Sequence, residues 1–148
     1  MTSIRRFVIG FCALVSLLLS LGAQAPMSPG NLVVVRVGSG AAALSNASTA
    51  VFLDEFTPAG VLVQSIALPT AAGAACTLGG TATSEGHLNV SSDGRFLTLG
   101  GYSAAPGTAS ISATASAATP RVVGRFDWST AALDCTTTLN NVFSGVSI

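Results

Sequence analysis

Lysine is absent from the 148-residue chain; six arginines are its only permanent cations, and Asp and Glu together also number six. Charged residues make up 8% of the sequence, against roughly a quarter in ordinary soluble domains. So sparse and balanced a charge excludes a basic nucleic-acid-binding surface, and the 49% hydrophobic content excludes a chain held open by self-repulsion. The single histidine, His87, stands apart from every cysteine, which leaves no Cys/His spacing for a structural zinc site. Helical periodicity is nearly missing as well. Apolar residues alternate over short runs instead of recurring every three or four positions, the pattern of strands.

What is present begins with an address. Arg5 and Arg6 precede fifteen uncharged residues, Phe7 to Leu21, and Ala23-Gln24-Ala25 supplies small residues at the spacing a signal peptidase reads. As a helix the apolar run spans about 22 Å, short of the ~30 Å hydrocarbon core, so residues 1–25 are read as a secretory signal peptide and not as an anchor. Cys12 lacks the small residues that precede a lipid-modified cysteine. Loss of the leader leaves four arginines against six acids, a net charge of −2. Neither nucleic acid nor membrane is then an expected partner, and the location is secreted, periplasmic or cell-surface. In an oxidising compartment Cys76 and Cys135 are a disulfide candidate, with two buried thiols as the alternative. Loop-closure entropy sets the stabilisation by such a bond at about 4 kcal/mol.

Strands and turns fill the rest. Leu32–Val37 follows the breaker group Pro29-Gly30-Asn31, and Val51–Phe56 and Val61–Leu68 flank Thr57-Pro58-Ala59-Gly60. His87–Val90 and Arg95–Leu99 alternate around Ser92-Asp93-Gly94, where glycine supplies the positive φ of a tight turn. Arg121–Trp128 and Thr136–Phe143 form a further pair. The Ala/Ser/Thr-rich stretch Ala104–Pro120 is expected as a surface loop. A loose G-x-G-x-x-A pattern at Gly38–Ala43 imitates a dinucleotide-binding turn, but residues 41–49 include Asn46, Ser48 and Thr49, poor formers of the helix that such a fold requires. Asn46-Ala47-Ser48 and Asn89-Val90-Ser91 match glycosylation acceptors, relevant only in a host with that machinery.

Two blocks correspond. Glu55 to Gly60 lies over Asp127 to Ala132 at a spacing of 72, and Leu32–Val37 over Phe96–Gly101 at a spacing of 64. Repeated strand groups on this scale suggest propeller blades, one of three strands and one of four.

The stretches Leu32 to Gly38, Val51 to Gly60, Thr83 to Leu88 and Ser91 to Leu99 resemble the first blades of secreted bacterial β-propellers. Ser92-Asp93-Gly94-Arg95-Phe96-Leu97 in particular is similar to the strand turn of YVTN and lactonase-like repeats. The resemblance implies an all-β, antiparallel partial β-propeller over residues 26–148 and an extracytoplasmic compartment. Because propellers usually carry about 4–8 blades, it also leads us to expect a truncated chain, with exposed edge strands prone to self-association.

Lactonase-like propellers hold a hard cation with channel oxygens, which makes Glu85, His87 and Asn89 ligand or metal candidates. A divalent ion takes about six oxygen ligands and one blade supplies one or two, so no cofactor is predicted and a cation is expected only in a complete ring. Beside this stands the plainer reading: Glu85 caps a turn and His87 is an ordinary strand residue. Asp54, Glu55 and Asp127 are expected at hairpin ends, accepting backbone N–H bonds or solvated, or else paired with Arg121 or Arg125. No Ser-His-Asp arrangement can be identified, and no catalytic residue is assigned. The expected function is an extracytoplasmic binding or scaffold module that presents loops 38–50, 71–83 and 104–120 to a protein or glycan. A lactonase-like hydrolase with a channel metal and a small adhesive or structural β-sandwich remain the alternatives.

Overall fold

The computed structural model describes residues 24–148. The leader reading for residues 1–25, all but its last two positions, and Cys12 fall outside the described residues.

Valine, leucine and phenylalanine alternate with polar residues through two antiparallel sheets. The first has the order β1 (Leu32–Val37), β3 (Val51–Phe56), β4 (Leu62–Ala67); the second runs β6 (Asn89–Val90), β7 (Phe96–Tyr102), β8 (Arg121–Asp127), β9 (Ala132–Leu139). Sheets of three and four strands are what the sequence led us to expect, and the fold is all-β and antiparallel. A third, two-stranded pairing joins β2 (Ser48–Thr49) to β5 (Leu78–Gly79). One core serves both large sheets, because period-two alternation turns Val51 and Leu53 of β3 and Ile66 of β4 toward Leu99, Val122, Phe126 and Cys135 of the second sheet.

Asp93 makes the tight β6–β7 turn. Its carboxylate accepts the Ser91 hydroxyl at 2.6 Å and the Arg95 N–H at 3.2 Å, while Gly94 takes φ 71°. The strand before it is shorter than expected. Gly86, at φ 79°, leaves the extended region, so pairing begins at Asn89 and His87 lies outside the strand. The last strand starts at Ala132 and not at Thr136, since Ala131 at φ 60° reverses the chain within four residues of Asp127.

The stretch 104–120, expected as a surface loop, is irregular and largely exposed, but it is anchored at Ala104, Ile111 and Ser116. It carries a short 3-10 turn, Ile111–Ala113, whose Ile111 is fully buried against Tyr102 and Ala104. Its backbone is tied to the β2 region: the Ser48 N–H donates to the Thr108 carbonyl at 2.8 Å, the Ile111 N–H to Asn46 at 3.1 Å, and the Ser48 hydroxyl to Ala105 at 2.5 Å. Small side chains permit that close approach. No helix forms over 41–49.

The acids meet the expectation in part: Asp127 ends β8 and accepts the Ser129 and Thr130 N–H groups, and Glu55 accepts the Ser28 N–H. Asp54 and Glu55 are not solvated at a hairpin end but buried within β3, and neither meets Arg121 or Arg125. Asp54 takes a two-pronged hydrogen bond from Arg36, at 2.5 and 3.1 Å, with the guanidinium 4.2 Å over the Phe52 ring. Arg125 pairs with Asp134 at 3.1 Å, and Asp127, which does end its strand, lies 3.7 Å from Arg95. Among the described residues no cation pairs with Glu55; three donors hold it, the Ser28 N–H at 2.7 Å and the amides of Asn31 and Gln64, each at 2.6 Å.

Burial raises the Glu55 pKa, but the Gln64, Ser28 and Asn31 hydrogen bonds outweigh it, and the Arg36 hydrogen bond draws Asp54 down. Both carboxylates therefore titrate below their ordinary values in the fold. The stability they contribute is present above the unfolded-state pKa, near 4, and is lost as pH falls through the lower folded values. Urea unfolding at pH 7 and pH 3 is expected to show a lower midpoint in acid. Glu55→Gln should flatten that dependence and cost about 1–3 kcal/mol at pH 7; an unchanged acid dependence would remove Glu55 from the account.

Candidate functional site

Three connections that look unrelated in sequence meet beyond one end of the sheets, and a polar cleft of about 230 Å³ opens between them. The 38–50 connection contributes Asn46; the segment after β5 contributes Gly79, Thr81, Thr83, Ser84 and Glu85; the 3-10 turn contributes Ser112, and Ser147 closes the rim. Next to the lining residue Ser112, Ile111 joins Tyr102 and Ala104 in a small buried cluster against which Ile148 packs.

Glu85 is the charged residue of the lining, and its carboxylate is fixed on both oxygens. Oε2 accepts the Gly79 N–H at 2.7 Å, and Oε1 accepts the Tyr102 hydroxyl at 2.6 Å. Tyr102 is wholly buried; burial, and then the carboxylate it donates to, push its hydroxyl above the ordinary range, so it stays a donor at neutral pH. An ionised carboxylate has about four lone-pair directions. The protein engages two of these, and Glu85 is partly exposed in the cleft lining. Hydroxyls and the Asn46 amide complete a lining able to donate and accept.

Beneath the cleft lies an unusual cation. Arg121 is fully buried, stacks 4.9 Å from the Tyr102 ring and meets no carboxylate. Carbonyl oxygens hold it: Thr119 and Thr114 at 2.9 Å, Val146 at 3.2 Å and Ser112 at 3.3 Å, with the Thr114 hydroxyl at 3.1 Å. One guanidinium thus gathers the 3-10 turn, the end of the 104–120 segment and the C-terminal segment that form one side of the cleft.

Of the three candidates for ligand or metal binding, only Glu85 lines this cleft. Its bond to the Gly79 N–H also makes it the turn-stabilising residue of the plainer reading. His87 and Asn89 are exposed and outside the lining, and the Asn89 amide lies 3.5 Å from the His87 carbonyl. Among the described residues no group of three or more His, Cys, Asp and Glu could hold a metal ion. Cys76 and Cys135 are free thiols, both buried. Also among the described residues, no helix is long and apolar enough to cross a membrane. Sequence reasoning missed Tyr102, Asn46 and Ser112. The one available signal was Tyr102 itself, a lone tyrosine after two strand glycines, where a hydroxyl needs a partner once buried. No protein family, curated protein or solved structure matches the chain.

Proposed function

We propose that this chain is a secreted propeller-type scaffold, working as an extracytoplasmic binding module whose loop-end cleft takes a neutral, hydroxyl-rich ligand such as one sugar unit of a glycan. The observation that carries this reading is the Glu85 carboxylate, anchored by Gly79 and Tyr102 and partly exposed in a cleft lined by hydroxyls. A fixed acceptor favours donors and disfavours anions, which sets sugars apart from phosphates and carboxylates. The cleft is smaller than the roughly 300 Å³ at which typical small-molecule sites begin, so it suits a single ring.

Binding to an array of neutral and acidic oligosaccharides tests the proposal. Neutral glycans should bind, and Thr83→Val and Ser112→Ala, which trim the lining without touching the Glu85 anchor, should each weaken binding about 5- to 10-fold, as loss of one hydrogen bond does. Binding of acidic glycans alone, or no loss in either variant, would overturn it.

The same scaffold reading carries an expectation for the isolated chain. Strands β4 and β9 are the terminal strands of their sheets, and Leu32, Val34, Leu62 and Val63 are about half exposed. Sedimentation of the leader-free chain should reveal concentration-dependent association; a monomer at every concentration would contradict that expectation.

A further inference from the structure

Cys76 and Cys135 are fifty-nine positions apart in sequence, one on the segment leading into β5 and the other on the terminal strand β9. The core brings both sulfurs to one spot. Cys76 is fully buried and Cys135 nearly so, and a Cβ placed on Gly124 would meet both sulfurs within 4 Å. Glycine clears that spot. A Cβ on Gly124 of β8 would stand 3.1 Å from the Cys76 sulfur and 3.6 Å from that of Cys135, and one on Gly101 of β7 would stand 3.0 Å from the Cys76 sulfur. Neither glycine has a positive φ, so backbone conformation does not call for them. Inside a strand glycine costs conformational entropy and leaves nothing to pack, and its usual justification is a close approach by something else. Here the Cys76 sulfur makes that approach at both glycines, joined at Gly124 by the Leu99 side chain at 3.0 Å and the Cys135 sulfur, and at Gly101 by the Thr77 carbonyl at 3.0 Å.

We infer that Cys76 and Cys135 form a disulfide in the folded protein, and that Gly101 and Gly124 are the residues that make room for it. The bond ties the segment carrying Gly79, one wall of the cleft, to the outer strand of the second sheet. Formation needs an oxidant, and a protein or small-molecule disulfide is the appropriate class. The Cys135 thiolate attacks a sulfur of that disulfide, forming a mixed disulfide and expelling one thiolate. The Cys76 thiolate then attacks the Cys135 sulfur, closing the bond and expelling the second thiolate. Two protons leave the cysteines, and two electrons pass to the oxidant. The roles of the two cysteines can be exchanged without altering the balance of the two steps. Both sulfurs are shielded in the native core, so exchange takes place while β9, hydrogen-bonded only to β8, is undocked.

The test uses the full chain refolded with glutathione disulfide, which makes it independent of where the protein is located and of what the cleft binds. Alkylation in denaturant without reductant should leave Cys76 and Cys135 unlabelled, with Cys12 either labelled or carrying glutathione, and should label all three after reduction, with a single cross-linked peptide joining Cys76 to Cys135. Reductant should lower the urea midpoint of the natural chain but not that of Cys76→Ser/Cys135→Ser. Three labelled thiols before reduction, a cross-link through Cys12, or a natural-chain midpoint indifferent to reductant would overturn the assignment.

Discussion

Arg121→Met is expected to lower the free energy of unfolding by about 3–5 kcal/mol, the scale of losing a central member of a buried polar network. The guanidinium donates to four carbonyl oxygens and one hydroxyl in a fully buried setting. Methionine fills much of the volume and satisfies none of them. Each orphaned carbonyl then carries a desolvation penalty of about 1–3 kcal/mol, partly offset because the buried charge, which has no anion of its own, disappears with its partners. Lysine should not rescue the loss, since a compact ammonium with three donors cannot span acceptors spread over Ser112, Thr114, Thr119 and Val146. Urea unfolding followed through Trp128, the single tryptophan, measures the effect. A loss below about 1 kcal/mol would mean that those carbonyls find other partners and that Arg121 does not organise the cleft wall.

Phe126→Ala is expected to cost a similar amount, about 3–5 kcal/mol, by a different cause. Phe126 is 1% exposed on β8, opposite Leu97, and belongs to the cluster where the two sheets meet. Truncation removes the apolar contact and leaves a cavity that strands fixed by ladder hydrogen bonds on both sides cannot collapse to fill. Leu62→Ala supplies the contrast. Leu62 is 52% exposed on a terminal strand, and its truncation should change stability by less than about 0.5 kcal/mol. Equal effects at the two positions would mean that the sheets do not share a core.

The long strands and the Asp93-Gly94 turn were legible because a local signal fixes each. β-rich composition between turn-forming residues marks β1 and β3, alternation marks β7, and an Asx turn with a positive-φ glycine marks the hairpin. The pairing of β2 with β5 left no such trace. Two residues a side cannot alternate visibly, and what holds Ser48 in place is the chain at Ala105 and Thr108, nearly sixty positions away. The 104–120 segment misleads for the same reason, because its small residues look like loop filler until Ile111 and Arg121 are seen to anchor it. Arg121 could be read only as a partner for acids, since charge is visible in sequence and a cage of carbonyls is not. Glu85 was half legible: its place near a turn could be read, but not the buried tyrosine that fixes its second oxygen.

The central claim is that a rigid two-sheet scaffold holds a polar cleft ready for a hydroxyl-rich ligand. Titrating the isotopically labelled chain with a neutral hexose and following backbone amide shifts addresses it most directly. The account predicts saturable shifts in the millimolar range, as expected for a ligand of so few atoms, concentrated at Gly79, Thr81, Thr83, Ser84, Glu85 and Ser112 and removed by Thr83→Val together with Ser112→Ala. No saturable shift, or shifts centred on the apolar groove at Met27, Val90 and Trp128 on another part of the surface, would contradict it.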